Sequence, residues 1–372
     1  MLRASVAILS LCAVAQARTR ARAVDVPATS ISAQDSSLYY SPYAWAPVGA
    51  GGMGTINSGA YMRVLFSGNT VVLSFDVSQM VVPVSQVYTR IDNGPLLSTP
   101  VGATISLAVP PNLTHGDVPW HTLELLVKST TERANRWTQG VPSTRVVLTG
   151  LTLDGGAAVA PWLPSTVNVL IYGDSITEGV LTLGGSQPDD TDHNDAFSVW
   201  SVRLGGLLGA ETGVVGFGAT GLSRGGSGGV PALGVSWNQT WAGTPRLFTP
   251  RPDLIVFNEG TNDGSNDITQ QMAAVLDALF GACPGTPIAV LVPFNGAEAA
   301  HLAAAIAASA KPALATLIST AGFYNQSFGG ALHPTGPNDM ARVAPQVAAR
   351  LRPLLARSLA SRFQAEEAQD AF

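Results

Sequence analysis

Charged side chains are scarce in this chain. They make up 12% of its 372 residues, about half the roughly 25% usual in a soluble protein, which favours loops and strands over long charged helices. An excess of cations is also lacking. Twenty Lys+Arg face 25 Asp+Glu for a formal net charge of −5, and the pI is ≈ 5.5, so there is no basic footprint for gripping a phosphate backbone and no nucleic-acid partner is expected. Cysteine is nearly absent. Cys12 lies in the N-terminal apolar stretch, and Cys283 is left alone beyond it, which excludes an internal disulfide there. Cys283 reads as a small buried hydrophobe ending a helix. Beyond the N-terminus no apolar run approaches the roughly 20 residues that span a bilayer. The mean hydropathy of +0.24 comes from Ala, Val and Gly. Gly and Pro, by contrast, are abundant at 39 and 25 residues. At about 150 residues per domain the length predicts two or three domains.

The N-terminus reads Met-Leu-Arg, then an apolar stretch from Ala4 to Ala15, then Ala15-Gln-Ala17. A basic start, a short hydrophobic middle and a small-x-small site predict a secretory signal peptide, cleaved after Ala17 or Ala23 and occupying at most residues 1–23. An organelle transit peptide is the alternative, because Arg3, Arg18, Arg20 and Arg22 all precede the first acid, Asp25. The sequons at Asn112, Asn238 and Asn325 favour the secretory route and an extracellular location.

Between about Ser37 and Ala160 the pattern is strand-like: Tyr61–Phe66, Val71–Val77, Gln86–Ile91, Thr104–Val109, Thr122–Val127 and Arg145–Leu148. Alternation such as Val71, Leu73, Phe75, Val77 marks one buried face, so residues 24–162 are expected to form an all-β sandwich or jelly roll. After Pro161-Trp-Leu-Pro164 strands alternate with helices: strands at Val167–Tyr172, Val214–Phe217, Leu254–Asn258 and Ile288–Pro293, helices at Asp195–Leu208, Asp267–Ala282, 297–310 and Pro337–Ala360. This predicts an α/β unit over 163–360 with a parallel sheet between helices, followed by a frayed acidic tail over 361–372. In such sheets ligands bind beyond the carboxyl ends of the strands.

At those strand ends stand Gly173-Asp-Ser175-Ile-Thr-Glu178-Gly179 and Gly260-Thr-Asn262-Asp263, with Leu332-His333-Pro334-Thr335 near the C-terminus. Together, in this order, they resemble the SGNH (GDSL) hydrolase superfamily over roughly residues 165–350. The resemblance implies Ser175 as nucleophile, His333 as base, and an oxyanion hole made by the N–H groups of Ser175 and Gly221 and the side chain of Asn262. The chemistry needs such a set. A serine hydroxyl requires an imidazole to take its proton, and a tetrahedral intermediate requires preorganised donors. His333 is the best placed of the five histidines. His115 and His121 lie in the β region, His193 in an acidic loop and His301 on an Ala-rich helix.

One departure narrows the resemblance. Most of the superfamily carry Asp three residues before the His, where this chain has Gly330. Carbohydrate esterase family 2 works with a Ser–His dyad and has an N-terminal jelly roll; this chain looks like that branch, including Gly225-Gly-Ser-Gly-Gly-Val-Pro231, Trp237 and Asn258-Glu-Gly-Thr-Asn-Asp-Gly264. The resemblance implies an acetyl esterase acting on carbohydrates without a cofactor or metal. A lipase or thioesterase, and a catalytically silent glycan-binding protein, are the rival functions.

Several residues carry two readings. Gly216-Phe-Gly-Ala-Thr-Gly221 satisfies a dinucleotide fingerprint, but the sequence that follows cannot open a helix. Gly221-Leu-Ser223-Arg-Gly225 spells a nucleophile elbow, making Ser223 a formal rival to Ser175. Asp189, Asp190, Asp192, His193 and Asp195 form either a Ca²⁺ loop or a solvated one, the latter being expected. Trp237 and Trp241 either stack on sugar or pack in the core. Glu178 either faces substrate or serves the helix start.

Overall fold

The structure, a computed structural model, describes residues 27–110, 120–138, 142–185, 191–324, 333–334 and 337–370. The expected signal peptide, Asn112, His115, Asp189, Asp190, Asn325 and Gly330 lie outside the described residues.

Alternation builds the N-terminal half. Along Thr70–Phe75, Val71, Leu73 and Phe75 are buried while Val72 and Ser74 are only half-buried, as expected when successive side chains point to opposite faces. Among the described residues two antiparallel six-stranded sheets form. One runs Ala46–Val48, Gly52–Thr55, Val146–Leu153, Thr70–Phe75, Thr104–Ala108, with Thr29–Ser32 also on Val146–Leu153. The other runs Val159–Ala160, Tyr61–Phe66, His121–Ser129, Gln86–Ile91, Leu97–Pro100, with Tyr39–Tyr40 also on Tyr61–Phe66. Their inner faces share one apolar cluster, including Met62, Val64 and Phe66 from one sheet and Leu73, Leu148 and Leu151 from the other.

The C-terminal half holds a parallel sheet in the order Glu211–Gly216, Asn168–Gly173, Leu254–Asn258, Ile288–Leu291, Ala315–Ile318. Its strands are almost wholly apolar because both faces are covered. Helices α1 (Ser175–Glu178), α2 (Trp200–Leu208), α3 (Leu233–Ser236), α4 (Thr269–Ala282), α5 (Ala299–Ala308) and α6 (Pro337–Asp370) lie among these strands in the chain. Val169, Ile171, Val214 and Val256 pack with α2 and α6. Leu170, Tyr172, Val215 and Phe257 pack with α4 and α5 on the other side. Cys283, just past α4, is buried.

Three expectations need correction. The helix expected over Asp195–Leu208 divides into a 3₁₀ turn, Ala196–Ser198, and α2, because Val199 takes an extended backbone between them. The last helix does not stop near Ala360 but runs to Asp370, 34 residues in all. Its extension contains no Gly or Pro to end it, and Arg362 is anchored to Asp253 at 2.7 Å. The strand Ala315–Ile318, unmarked in the sequence reading, closes the sheet edge. Among the described residues no helix is long and apolar enough to cross a membrane.

Polar contacts join the two halves. Tyr61 and Arg63, on one strand of the β half, both reach Glu211 at the start of a parallel strand, Arg63 Nη1 at 3.1 Å. Tyr43 donates its hydroxyl to the Pro250 carbonyl at 2.8 Å. Lys128 Nζ donates to the carbonyls of Thr191 and Asp192, each at 3.0 Å.

Candidate active site

The strand Asn168–Gly173 is buried throughout and delivers the chain to a tight turn. Asp174 caps the four-residue helix α1 by accepting the Ile176 N–H at 2.9 Å. Asp is among the preferred residues at this position. Ser175 is therefore the first residue of α1, and its N–H, like those of any first helical turn, has no intrahelical acceptor. The Ser175 side chain sits beside His333, with Oγ 2.8 Å from Nε2. Ser175 is 5% exposed, while His333 is half-buried.

Two further loops are bonded to each other. Asn262, beyond the strand Leu254–Asn258, donates Nδ2 to the Thr220 carbonyl at 2.9 Å. Asp263 accepts from the N–H groups of Leu222 at 3.0 Å and Ser223 at 2.6 Å. Gly221 lies between these contacts. A Cβ there would stand 2.6 Å from the Asp263 carboxylate, so no side chain fits without moving one loop off the other. The Gly221 N–H itself donates to the Arg224 carbonyl at 3.1 Å within the turn. Of the expected oxyanion donors, Asn262 keeps its second amide hydrogen available, while the Gly221 N–H would have to exchange this turn contact for an oxyanion.

A buried acidic set underlies these loops. Burial pushes the Asp174 carboxyl up to about 6, outweighing the N–H that caps it. Glu259 is driven well above the usual carboxylate range by burial and by its neighbours Asp174 and Asp263. Neither was singled out in the sequence, since only their shared burial makes them unusual.

The competing sequence readings separate clearly. Ser223 donates its hydroxyl to Asp263 at 2.6 Å and accepts from Asn266 at 3.0 Å, so its contacts are those of a loop staple. Glu178 does not face substrate: it is buried and ion-paired with Arg136, Nη2 to Oε1 at 2.6 Å, which corrects the reading of Glu178 as a substrate contact. Trp241 is buried, with Arg145 over its ring at 4.8 Å. Trp237 is half-buried and stacks on Phe248 at 5.8 Å. The structure thus gives Trp237 a packing partner in Phe248. The strand Glu211–Gly216 is followed by a loop, as the sequence implied, and not by the helix a dinucleotide site needs. Of the acidic loop, Asp195 caps the 3₁₀ turn through the Phe197 N–H at 2.9 Å and Asp192 accepts from Gln86. Among the described residues no group of three His, Cys, Asp or Glu could hold a metal ion.

No protein-family model and no curated protein matches the sequence. Solved structures do. A family two carbohydrate esterase from Cellvibrio japonicus matches with a TM-score of 0.72 at 20% identity, covering 89% of this chain and 98% of that one. The chain has the fold of the family 2 carbohydrate esterases. An acetyl xylan esterase, Est2A, from Butyrivibrio proteoclasticus matches at 0.71 and 15% identity, over 89% of this chain and 100% of that one. A family two carbohydrate esterase from Clostridium thermocellum in complex with cellohexaose matches at 0.65 and 17% identity, over 86% and 99%. The likeness extends into both halves of the chain, since the matches cover 86–89% of it.

Proposed function

We propose that the protein is a secreted serine esterase that removes acetyl groups from carbohydrates. The observation that carries this reading is the 2.8 Å contact between Ser175 Oγ and His333 Nε2 at the end of a parallel strand. Ser175 Oγ attacks the acetyl carbonyl carbon while Nε2 takes the hydroxyl proton. The oxyanion is met by the Ser175 N–H, the second Nδ2 hydrogen of Asn262 and the Gly221 N–H, freed from Arg224. Collapse expels the sugar oxygen, which receives the proton from His333 and leaves an acetyl-serine. Water then attacks the acetyl group with His333 as base, releasing acetate and restoring Ser175.

Acetylated polysaccharide is favoured as substrate by the named neighbours, one an acetyl xylan esterase and another holding cellohexaose. We read the two facing β sheets as a jelly roll and the helices as layers on either side of the parallel sheet, residues 24–162 and 163–360 being the two domains. Export would follow removal of residues 1–23, with Asn112, Asn238 and Asn325 as glycan acceptors.

The test is acetate release from p-nitrophenyl acetate and from acetylated xylan by the wild type and by Ser175→Ala. Loss in the variant supports the serine esterase. Activity retained in Ser175→Ala would overturn it, absence of turnover in the wild type would favour the silent glycan-binding protein, and preference for long acyl chains would favour a lipase or thioesterase.

A further inference from the structure

Residues 130–137, which leave the β half after the strand His121–Ser129, lie against both loops that carry the proposed chemistry. Arg136 is 0% exposed. Its Nη2 and Nη1 donate to Glu178 Oε1 at 2.6 Å and Oε2 at 3.1 Å, a two-point fork. Its remaining donors reach the carbonyls of Thr131 and Thr130, each at 2.9 Å. Glu178 closes α1, the helix that Ser175 opens. The same carboxylate accepts the Gly218 N–H at 2.8 Å and the Ser58 hydroxyl at 3.3 Å. Gly218 belongs to the turn that leads into Gly221. One carboxylate therefore joins the β half, the nucleophile helix and the loop of the expected oxyanion donor.

Other contacts press the same parts together. The Arg136 N–H donates to the Gly228 carbonyl at 2.8 Å, and Trp137 meets Phe217 edge-on at 6.2 Å. Glu132 covers Gly218 so closely that a Cβ there would stand 1.1 Å from its Oε1.

We propose that Arg136 is a positioning residue: through Glu178 it fixes the Ser175 turn against the Phe217–Gly221 loop, making the β half part of the catalytic apparatus. The inference rests on the serine esterase reading. Its physical basis is the planar guanidinium, which matches a carboxylate at two points, whereas a lysine offers a single flexible charge. In a dry site the pair holds only with both members in place. Displacing reacting groups by about 1 Å can cost about a hundredfold in rate, so a loosened clamp should appear in chemistry before it appears in binding.

The experiment uses the full chain carrying Arg136→Lys, which keeps the charge, or Glu178→Gln, which keeps the shape and an oxygen for Gly218. With folding verified by circular dichroism at the assay temperature, kcat and KM on p-nitrophenyl acetate are measured. The rate at which a fluorophosphonate inactivates Ser175 is measured alongside. In both variants kcat and the inactivation rate should fall about tenfold or more while KM stays within about twofold, a split that a purely structural tie does not produce. A folded variant with wild-type kcat, or a loss confined to KM, overturns the proposal. Should either single variant fail to fold, Arg136→Met/Glu178→Gln, which leaves no buried charge, is judged by the same rates. Ser175→Ala run alongside separates the two readings. Activity surviving there overturns the esterase itself, whereas wild-type rates in Arg136→Lys beside an inactive Ser175→Ala overturn only the positioning role.

Discussion

Asn262 Nδ2 donates to the carbonyl of Thr220 at 2.9 Å, so the side chain proposed to meet the oxyanion also braces the loop that presents Gly221. Replacing Asn262 with Ala removes both the donor and the brace. Loss of one oxyanion donor typically lowers kcat by about 10²–10³-fold. We expect a fall of at least that size on p-nitrophenyl acetate, with KM little changed. A variant retaining most of its kcat would remove Asn262 from the proposed hole.

Asp263 does for the loop backbone what Asn262 does for Thr220. Its carboxylate accepts two backbone N–H groups and the Ser223 hydroxyl. Asp263→Ala should therefore leave Leu222 N–H and Ser223 N–H without acceptors, at a cost of about 1–3 kcal/mol for each group that stays buried. Equilibrium urea unfolding is the check, with kcat expected to fall in parallel. Unchanged stability would show that water takes over both donors.

The buried Asp174 gives the protein a pH-dependent weakness. Its carboxyl is raised from 3.8 to about 6, so the folded state holds the proton more tightly than the unfolded one. Its favourable contribution is complete below the unfolded value and is lost as pH rises through about 6. Asp174→Asn cannot titrate, yet retains an oxygen to cap α1, Asn and Asp being comparable caps. The variant should gain stability relative to the wild type as pH rises from about 4 to 7, by on the order of 2–3 kcal/mol. Melting temperatures at the two ends of that range test this. A difference independent of pH would contradict it.

Asn238 is exposed, whereas Thr240 of the same sequon is buried. Expression through a eukaryotic secretory route should add a glycan there. Treatment with an endoglycosidase should then shift the mass, and Asn238→Gln should remove one glycan's share of the shift. No difference between wild type and variant would exclude occupancy of this sequon.

The parts of the fold legible in the sequence are those written locally. Tyr61–Phe66 and Gln86–Ile91 are legible to the residue, because alternation over six residues is a sufficient signal. Ala46–Val48 and Gly52–Thr55 are not, since Pro47, Gly52 and Gly54 disguise strands that owe their form to pairing with neighbours. The approach of Ser175 to His333 is expected from compact blocks, each weak alone and specific only together and in order. The partnership of Arg136 with Glu178 spans 42 residues and two differently built halves. No spacing rule joins an arginine after a β-strand to a glutamate after a nucleophile, and only burial of both reveals their bond. Neither sequence reading of Glu178, as a substrate contact or as a helix-start carboxylate, includes Arg136, to which its carboxylate is paired.

The seam between the halves has a practical outcome for handling the protein. Leu163, in the Pro-rich connection, is 86% exposed and is an inviting place for a protease to cut. Yet Arg63 to Glu211, Tyr43 to Pro250, Lys128 to Thr191 and Arg136 to Glu178 all bridge across without using that connection. A chain nicked there should migrate as two pieces in detergent and as one in native gels, still turning over ester.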